Sequence, residues 1–285
     1  MKIISSKREI NQWARQSKVN GKSIGFVPTM GFLHEGHLAL VKEARQENDC
    51  VIMSIFVNPL QFGPSEDYDM YPRDAERDKK LAKEAGVDIL FMPSVDEMYK
   101  KKQSVKMMVT ERTNRLCGAK RPRHFDGVVM VLTKLFHLTV PDRAYFGLKD
   151  AQQFAIVSAL VDDLDFPVEV IPVNTVREPS GLAISSRNVY LTDEEREKAA
   201  ALYHSLLLGK KLIEEGETDV TVITNTVSDY LHQQLTAKID YVELLSFPEL
   251  ETISVASGKM ILAVAIQFSA VRLIDNIILR VSLCS

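Results

Sequence analysis

The chain has 285 residues, 46% of them hydrophobic and 26% charged, and its 35 Lys and Arg against 38 Asp and Glu leave a net charge of −3. That length suits one large domain or two smaller ones with a substantial core, and the near-neutral balance gives no global pull toward nucleic acid or an anionic membrane. The 3 cysteines, Cys50, Cys117 and Cys284, are too few and too scattered for a disulfide framework. No basic-then-apolar leader and no apolar run long enough to cross a bilayer is present, so the expectation is a cytoplasmic protein with neither a nucleic-acid nor a membrane partner.

Taken in order, residues 5–18 have helical spacing, with Ile10 and Trp13 on one face. Residues 23–29 read as a buried strand, followed by a glycine-containing turn and a helix that opens near His34 and turns Leu38 and Val41 inward. Residues 50–57, C-V-I-M-S-I-F-V, form the continuous apolar run of a strand buried on both faces, with Cys50 as a small buried residue at its start. The run stops at Asn58-Pro59, before a loop rich in Gly, Pro and acidic residues. A charged helix over 73–84 closes at Gly86, and a short strand over 88–92 ends at Pro93. Residues 94–124 are less regular and basic. A helix over 125–138 ends before Pro141, a strand at 144–146 feeds F-G-L-K-D and a further helix, and a strand covers 168–173. Strands alternating with helices predict an α/β fold with a mostly parallel sheet.

Beyond Val176 the pattern changes. Two amphipathic helices, 193–215 and 220–235, precede strands at 239–245, 260–268 and 272–280 with no helix between them. That is a smaller α+β domain, so the expected domains are 1–175 and 176–285, with P-S-G-L-A-I-S-S-R-N at the hinge. No internal repeat or low-complexity tract interrupts either.

The stretch F-V-P-T-M-G-F-L-H-E-G-H-L-A-L, residues 26–40, carries the chemistry. A strand running into a helix N-terminus makes an anion site, because the first helical amides lack intrahelical partners. His34 and His37 lie three apart and project together toward that site, where imidazoles suit phosphate chemistry. Three readings compete: two surface histidines on an ordinary βα unit, a zinc site, or the H-x-G-H signature of nucleotidylyltransferases. Zinc signatures on helices space their ligands four apart, and no Cys is near. The strand before and the helix after favour the third.

Ligands of open α/β sheets bind beyond the carboxyl ends of the strands. There stand Asn58, which a turn would use for local reasons, and Gln61, whose amide suits hydroxyl and carboxylate recognition. Gly147-Leu148-Lys149-Asp150 and Gln152-Gln153 follow a later strand. Lys149 is placed to hold a phosphate, and Asp150 reads equally as a helix cap or a ligand. The string Ile184-Ser185-Ser186-Arg187-Asn188 is either a polar linker or a polyphosphate clamp.

Taken together, the strings P-T-M-G-F-L-H-E-G-H, V-N-P-L-Q-F-G, E-D-Y-D-M-Y-P-R, R-P-R-H-F-D-G-V, P-D-R-A-Y-F-G-L-K-D-A-Q-Q, V-R-E-P-S-G-L-A-I-S-S-R-N-V-Y-L and R-L-I-D-N resemble the pantothenate synthetase (pantoate–β-alanine ligase) family over most of the chain. The resemblance implies an enzyme that uses ATP and Mg²⁺ to join pantoate to β-alanine through a pantoyl adenylate, releasing AMP and pyrophosphate. It implies a homodimer with a Rossmann-like N-terminal domain and a C-terminal lid. Residue by residue, it puts Met30, Gly31, Phe32, Leu33, His34, Glu35, Gly36 and His37 along the ATP. Gly147, Leu148, Lys149, Asp150 and Ile184 join them, with Val176 at the adenine and Ser185, Ser186 and Arg187 around the phosphates. His37, His34, Lys149, Ser185 and Arg187 would carry the catalysis. Gln61 and Gln153 would bind pantoate's polar groups, and Pro28, Met30, Val128 and Val131 its gem-dimethyl group. Val128 and Val131 also have the spacing of ordinary helical core.

Two features depart from the family pattern. Arg123 stands where R-P-G-H-F has glycine; if that position needs positive φ, Arg is strained by about 1 kcal/mol, which bears on Arg121 and His124. The tail I-L-R-V-S-L-C-S carries no family feature. The competing functions are another H-x-G-H nucleotidylyltransferase, which would not depend on β-alanine, and an ATP-binding module without turnover.

Overall fold

The computed structural model describes residues 1–63, 66, 68–99 and 103–281; Asp67, inside one of the motif strings, and Cys284, in the tail, lie outside the described residues. The chain divides into two compact units. The first comprises Met1–Glu111, Arg121–Leu148 and Ile156–Asn174, and the second Arg112–Lys120, Lys149–Ala155 and the chain from Thr175 onward.

The first unit is built on a six-stranded sheet of order β1-β4-β3-β2-β5-β6, parallel throughout its pairings. The strands are β1 (Lys2–Ile4), β2 (Ile24–Thr29), β3 (Cys50–Ile55), β4 (Ile89–Phe91), β5 (Arg143–Gly147) and β6 (Glu169–Val173). Helices α1 (Lys7–Val19), α2 (Glu35–Glu47), α3 (Ala75–Glu84), α4 (Val95–Met98), α5 (Leu116–Lys120), α6 (His124–Thr139) and α7 (Ala151–Asp163) lie between them in sequence, and α5 with the first turn of α7 falls in the second unit. The α/β expectation holds. The apolar run of β3 is buried from Cys50 to Ser54, and burial raises the Cys50 thiol. The core joins Val27, Leu33, Val41, Met53, Leu90 and Tyr145, where each fully buried aliphatic side chain contributes roughly 1.5–3 kcal/mol.

The sheet order places a topological switch point between β2 and β5. The chain leaves β2 for β3 and β4 on one side, then returns past β2 to β5 on the other, and beyond the carboxyl ends of two such strands is where open α/β sheets bind ligands.

In the second unit, β7 (Lys238–Ser246), β8 (Gly258–Gln267) and β9 (Arg272–Val281) form an antiparallel sheet. It shares a core with α8 (Asp193–Ala199), α9 (Ala201–Glu214) and α10 (Val220–Gln234), containing Leu202, Leu206, Ile223, Val227, Leu262 and Val264. The earlier segments join this unit for a physical reason: Leu116, Ala151 and Ala155 pack with Leu245, Phe247 and Ile261. Gln152 spends its amide there, donating to Arg112 O and Arg115 O and accepting from Gly118 N.

Several local expectations are corrected. The inward face of α1 is Ile10, Ala14 and Ser17, with Trp13 half-buried beside it. Leu38 is half-buried, and α2 turns Leu40, Val41 and Ala44 inward instead. The helix expected over 193–215 breaks at Ala200 into α8 and α9.

Candidate active site

The turn after β2 is held from beneath. Gly31 and Phe32 both adopt left-handed backbone, at φ 87° and 51°. That conformation strains Phe32, and Asp78 on α3 fixes it. Asp78 is 2% exposed; its Oδ2 accepts from Phe32 N at 2.8 Å and its Oδ1 from Leu33 N at 2.7 Å. Burial pushes the Asp78 carboxyl above its ordinary range, and the two amides work against that rise. Thr29 Oγ1 accepts from Gly31 N and donates to Ser54 O, tying the turn to β3. A cavity of about 260 Å³ opens beside the turn, lined by Met30, Gly31, Phe32, Ile55, Phe56 and Met92 among others.

His34 is the N-cap of α2, its Nδ1 accepting from Gly36 N at 3.2 Å. An amide only donates, so in the neutral ring the proton sits on Nε2, which is then a donor. The ring lies directly over Gly36, where a Cβ would meet His34 Cε1 at 2.9 Å, so the motif's glycine makes room for the cap. His37, one turn along, stacks on it with ring centroids 3.9 Å apart and planes 26° from parallel. The paired imidazoles thus stand at the mouth of a 13-residue helix beside the switch point, where amides and dipole favour an anion.

Gln61 ends a 3₁₀ turn, Pro59–Gln61, after β3, and its Nε2 donates to Met30 Sδ at 3.0 Å. Its backbone carbonyl accepts from His124 Nδ1 at 2.7 Å and Arg121 Nη2 at 3.3 Å. A carbonyl only accepts and a guanidinium only donates, so His124 Nδ1 carries the proton while Nε2 accepts from Arg121 Nη1 at 3.1 Å. Arg121 also grips Glu66, with Nε 3.0 Å from Oε1. Burial opposes ionisation of Glu66, but the Arg121 hydrogen bond and charge outweigh it and leave the carboxyl below its ordinary range. Arg121 and His124 therefore anchor the main chain of Gln61. Arg123 between them has φ 66° and ψ 3°, so the left-handed strain considered from the sequence is present. Pro28 lies in β2, Val128 and Val131 are buried on α6, and Gly147 ends β5 before Leu148.

In the second unit Lys149, Asp150, Val176 and the Ile184–Arg187 string form one connected set. Asn276 Nδ2 donates to Lys149 O at 2.9 Å, and Lys149 Nζ lies 3.7 Å from Asp150 Oδ1. Asp275 takes Arg177 in two hydrogen bonds of 2.6 and 2.9 Å. Next to Arg177, Val176 O accepts from Ile184 N at 3.0 Å, which brings Val176 beside the Ser185–Arg187 string. Ser185 caps its own turn, accepting from Arg187 N, and Ser186 is buried. Gln153 is half-buried on α7.

Asp78 and Asn276 carried no role in the sequence reading. For Asp78 the signal was present: Asp78 and Ala82 are four apart and share the inward face of a charged helix. Asn276 meets Lys149 across 127 residues, and no local pattern reveals that.

The Pantoate-beta-alanine ligase family model matches residues 2–278. The chain is 54% identical to a Pantothenate synthetase of Bacillus cytotoxicus over 99% of this chain and 100% of the relative. It is 57% identical to one of Bacillus pumilus, over 99% and 97%. Among solved structures, the Pantothenate Synthetase of Thermus thermophilus superposes with a TM-score of 0.92 at 46% identity, covering 97% of this chain and 99% of that one. The Pantoate-beta-alanine Ligase of Francisella tularensis, complexed with Beta-gamma ATP and Beta-alanine, superposes with a TM-score of 0.78 at 34% identity, covering 97% of each chain. Matched along nearly its whole length in sequence and in fold, the chain belongs to the pantoate–β-alanine ligase family.

Proposed function

We propose that this chain condenses pantoate with β-alanine at the expense of ATP, with the β2–α2 turn as the floor of the site. One observation carries the placement: the stacked His34–His37 pair at a helix mouth on the switch point, with the turn beneath it braced by Asp78. The Francisella relative's complex with Beta-gamma ATP and Beta-alanine supports both as ligands here.

In the first step a carboxylate oxygen of pantoate attacks the α-phosphorus of ATP, and the bond from that phosphorus to its bridging oxygen breaks. Pyrophosphate leaves with the electron pair, giving pantoyl adenylate. In the second, the amine of β-alanine attacks the acyl carbon, the acyl C–O bond breaks, the amine loses a proton and AMP departs. No side chain forms a covalent bond. His34 and His37 donate hydrogen bonds as charge moves onto pyrophosphate. Lys149 holds phosphate as a point charge, and Ser185, Ser186 and Arg187 clamp it. Met30 to His37, with Gly147, Leu148, Asp150 and Ile184, line the nucleotide, and Val176 meets the adenine. Gln61 and Gln153 bind the polar groups of pantoate, while Pro28, Met30, Val128 and Val131 pack its methyl groups. This convergence needs residues 176–285 to act as a lid on the ATP- and pantoate-binding residues of 1–175, positioning reactants and protecting the adenylate from water.

The reading includes Mg²⁺, which when bound neutralises phosphate oxygens. Among the described residues no group of three or more His, Cys, Asp or Glu is placed to hold a metal, and no step above is routed through the ion. The same reading makes the protein a cytoplasmic homodimer. No helix among the described residues is long and apolar enough to cross a membrane.

Pantoate-dependent exchange of pyrophosphate into ATP without β-alanine, and AMP release once it is added, test the reading. Exchange indifferent to pantoate would indicate another nucleotidylyltransferase; ATP binding without turnover would indicate a binding module.

A further inference from the structure

The groups around Gln61 leave its amide one orientation. Asn58, 1% exposed, is held at both ends. Its Oδ1 accepts from Leu60 N at 3.2 Å and Tyr99 Oη at 2.9 Å, and its Nδ2 donates to Gly127 O at 2.9 Å and Gln61 Oε1 at 3.1 Å. A backbone N–H only donates and a backbone carbonyl only accepts, so Asn58 fits one way round and the Tyr99 hydroxyl must donate. Burial raises the Tyr99 phenol well above its ordinary range, which keeps that proton in place. Gly127 allows its carbonyl to come this close, since a Cβ there would lie 2.3 Å from Leu60 O.

With Asn58 fixed, its nitrogen faces Gln61 Oε1, and Gln61 Nε2 is turned the other way, onto Met30 Sδ at 3.0 Å. A thioether is a weak acceptor, so a substrate oxygen outcompetes it for these N–H groups. We propose that Tyr99 is a positioning residue for the ligase reaction: acting through Asn58, it sets the Gln61 amide with its N–H groups toward the substrate, so that the site selects an oxygen that accepts hydrogen bonds, such as a carboxylate. This rests on the reading of Gln61 as a pantoate contact.

The test measures kcat and KM for pantoate and ATP separately in Tyr99→Phe and Asn58→Asp, with thermal melts alongside. Tyr99→Phe keeps the ring and loses only the donor. Its KM for pantoate should rise about 5-fold, the typical loss for one hydrogen bond, with kcat and the KM for ATP within about twofold of wild type. Asn58→Asp presents only acceptors, so Gln61 must turn its nitrogen inward and show its carbonyl to the substrate. Its kcat/KM for pantoate should fall by about 100-fold or more while ATP binding persists. A pantoate KM unchanged in Tyr99→Phe, or a parallel rise for ATP, overturns the relay whatever Asn58→Asp does. If Asn58→Asp fails to fold, Tyr99→Phe alone decides. Wild-type protein without pantoate-dependent exchange would instead overturn the functional reading on which the relay stands.

Discussion

The imidazoles of His34 and His37 lie face to face, 3.9 Å between ring centroids. His34 also caps α2 through Gly36 N, so the pair acts as one unit and removing either ring loosens the other. Each single alanine variant should slow adenylate formation on the order of 100-fold. The double variant should lose far less than the product of the two single losses. Rapid-quench measurement of pyrophosphate release checks both, with circular dichroism confirming the fold. Multiplicative losses would mean that the two rings act independently.

Asp78 accepts from two consecutive amides, and an asparagine has only one oxygen to offer. In Asp78→Asn one backbone N–H would face an NH₂ group, a mismatch of about 2 kcal/mol. The melting temperature should drop by roughly 5 °C, and the KM for ATP should rise more than that for pantoate, because the proposed function makes the strained turn the nucleotide's floor. Equal changes for both substrates would argue against that division.

Arg123 holds φ 66° with its side chain largely exposed and 3.9 Å from Asp126, an ion pair of little worth. Arg123→Gly relieves the left-handed strain and should stabilise the protein by about 1 kcal/mol, or roughly 2 °C in melting temperature. Denaturant unfolding of both proteins checks this; a less stable glycine variant would show that the side chain does more than tolerate its backbone.

Glu66, paired with Arg121, has a carboxyl held below its ordinary value of 4.5. A depressed folded-state pKa gives stability that is present above the unfolded value and lost as pH falls through the folded one. Glu66→Gln should therefore be less stable than wild type at pH 7, on the order of 1 kcal/mol for this partly exposed pair, and the gap should narrow progressively as pH falls below 4.5. A gap independent of pH would assign the loss to packing.

Much of this was legible in the sequence, and the misses share a cause. The parallel sheet, the three C-terminal strands and the H-x-G-H turn each have a local signal: an unbroken apolar run, strands without intervening helices, a strand feeding a capped helix. β1 has only three residues and is defined by pairing with β4, 87 positions away at Lys2↔Ile89, so periodicity cannot find it. The break at Ala200 has no Gly or Pro to mark it. Asn58 had a sufficient local explanation as a turn residue, and the structure adds partners from Tyr99 and Gly127 that only the fold supplies.

The most direct test of the adenylate follows oxygen. If pantoate's carboxylate attacks the α-phosphorus, pantoate labelled with ¹⁸O in that group must leave one labelled oxygen in each AMP after β-alanine is added, and none in pyrophosphate. Mass spectrometry of the products reads this in one turnover. Unlabelled AMP, or label in pyrophosphate, would contradict the account.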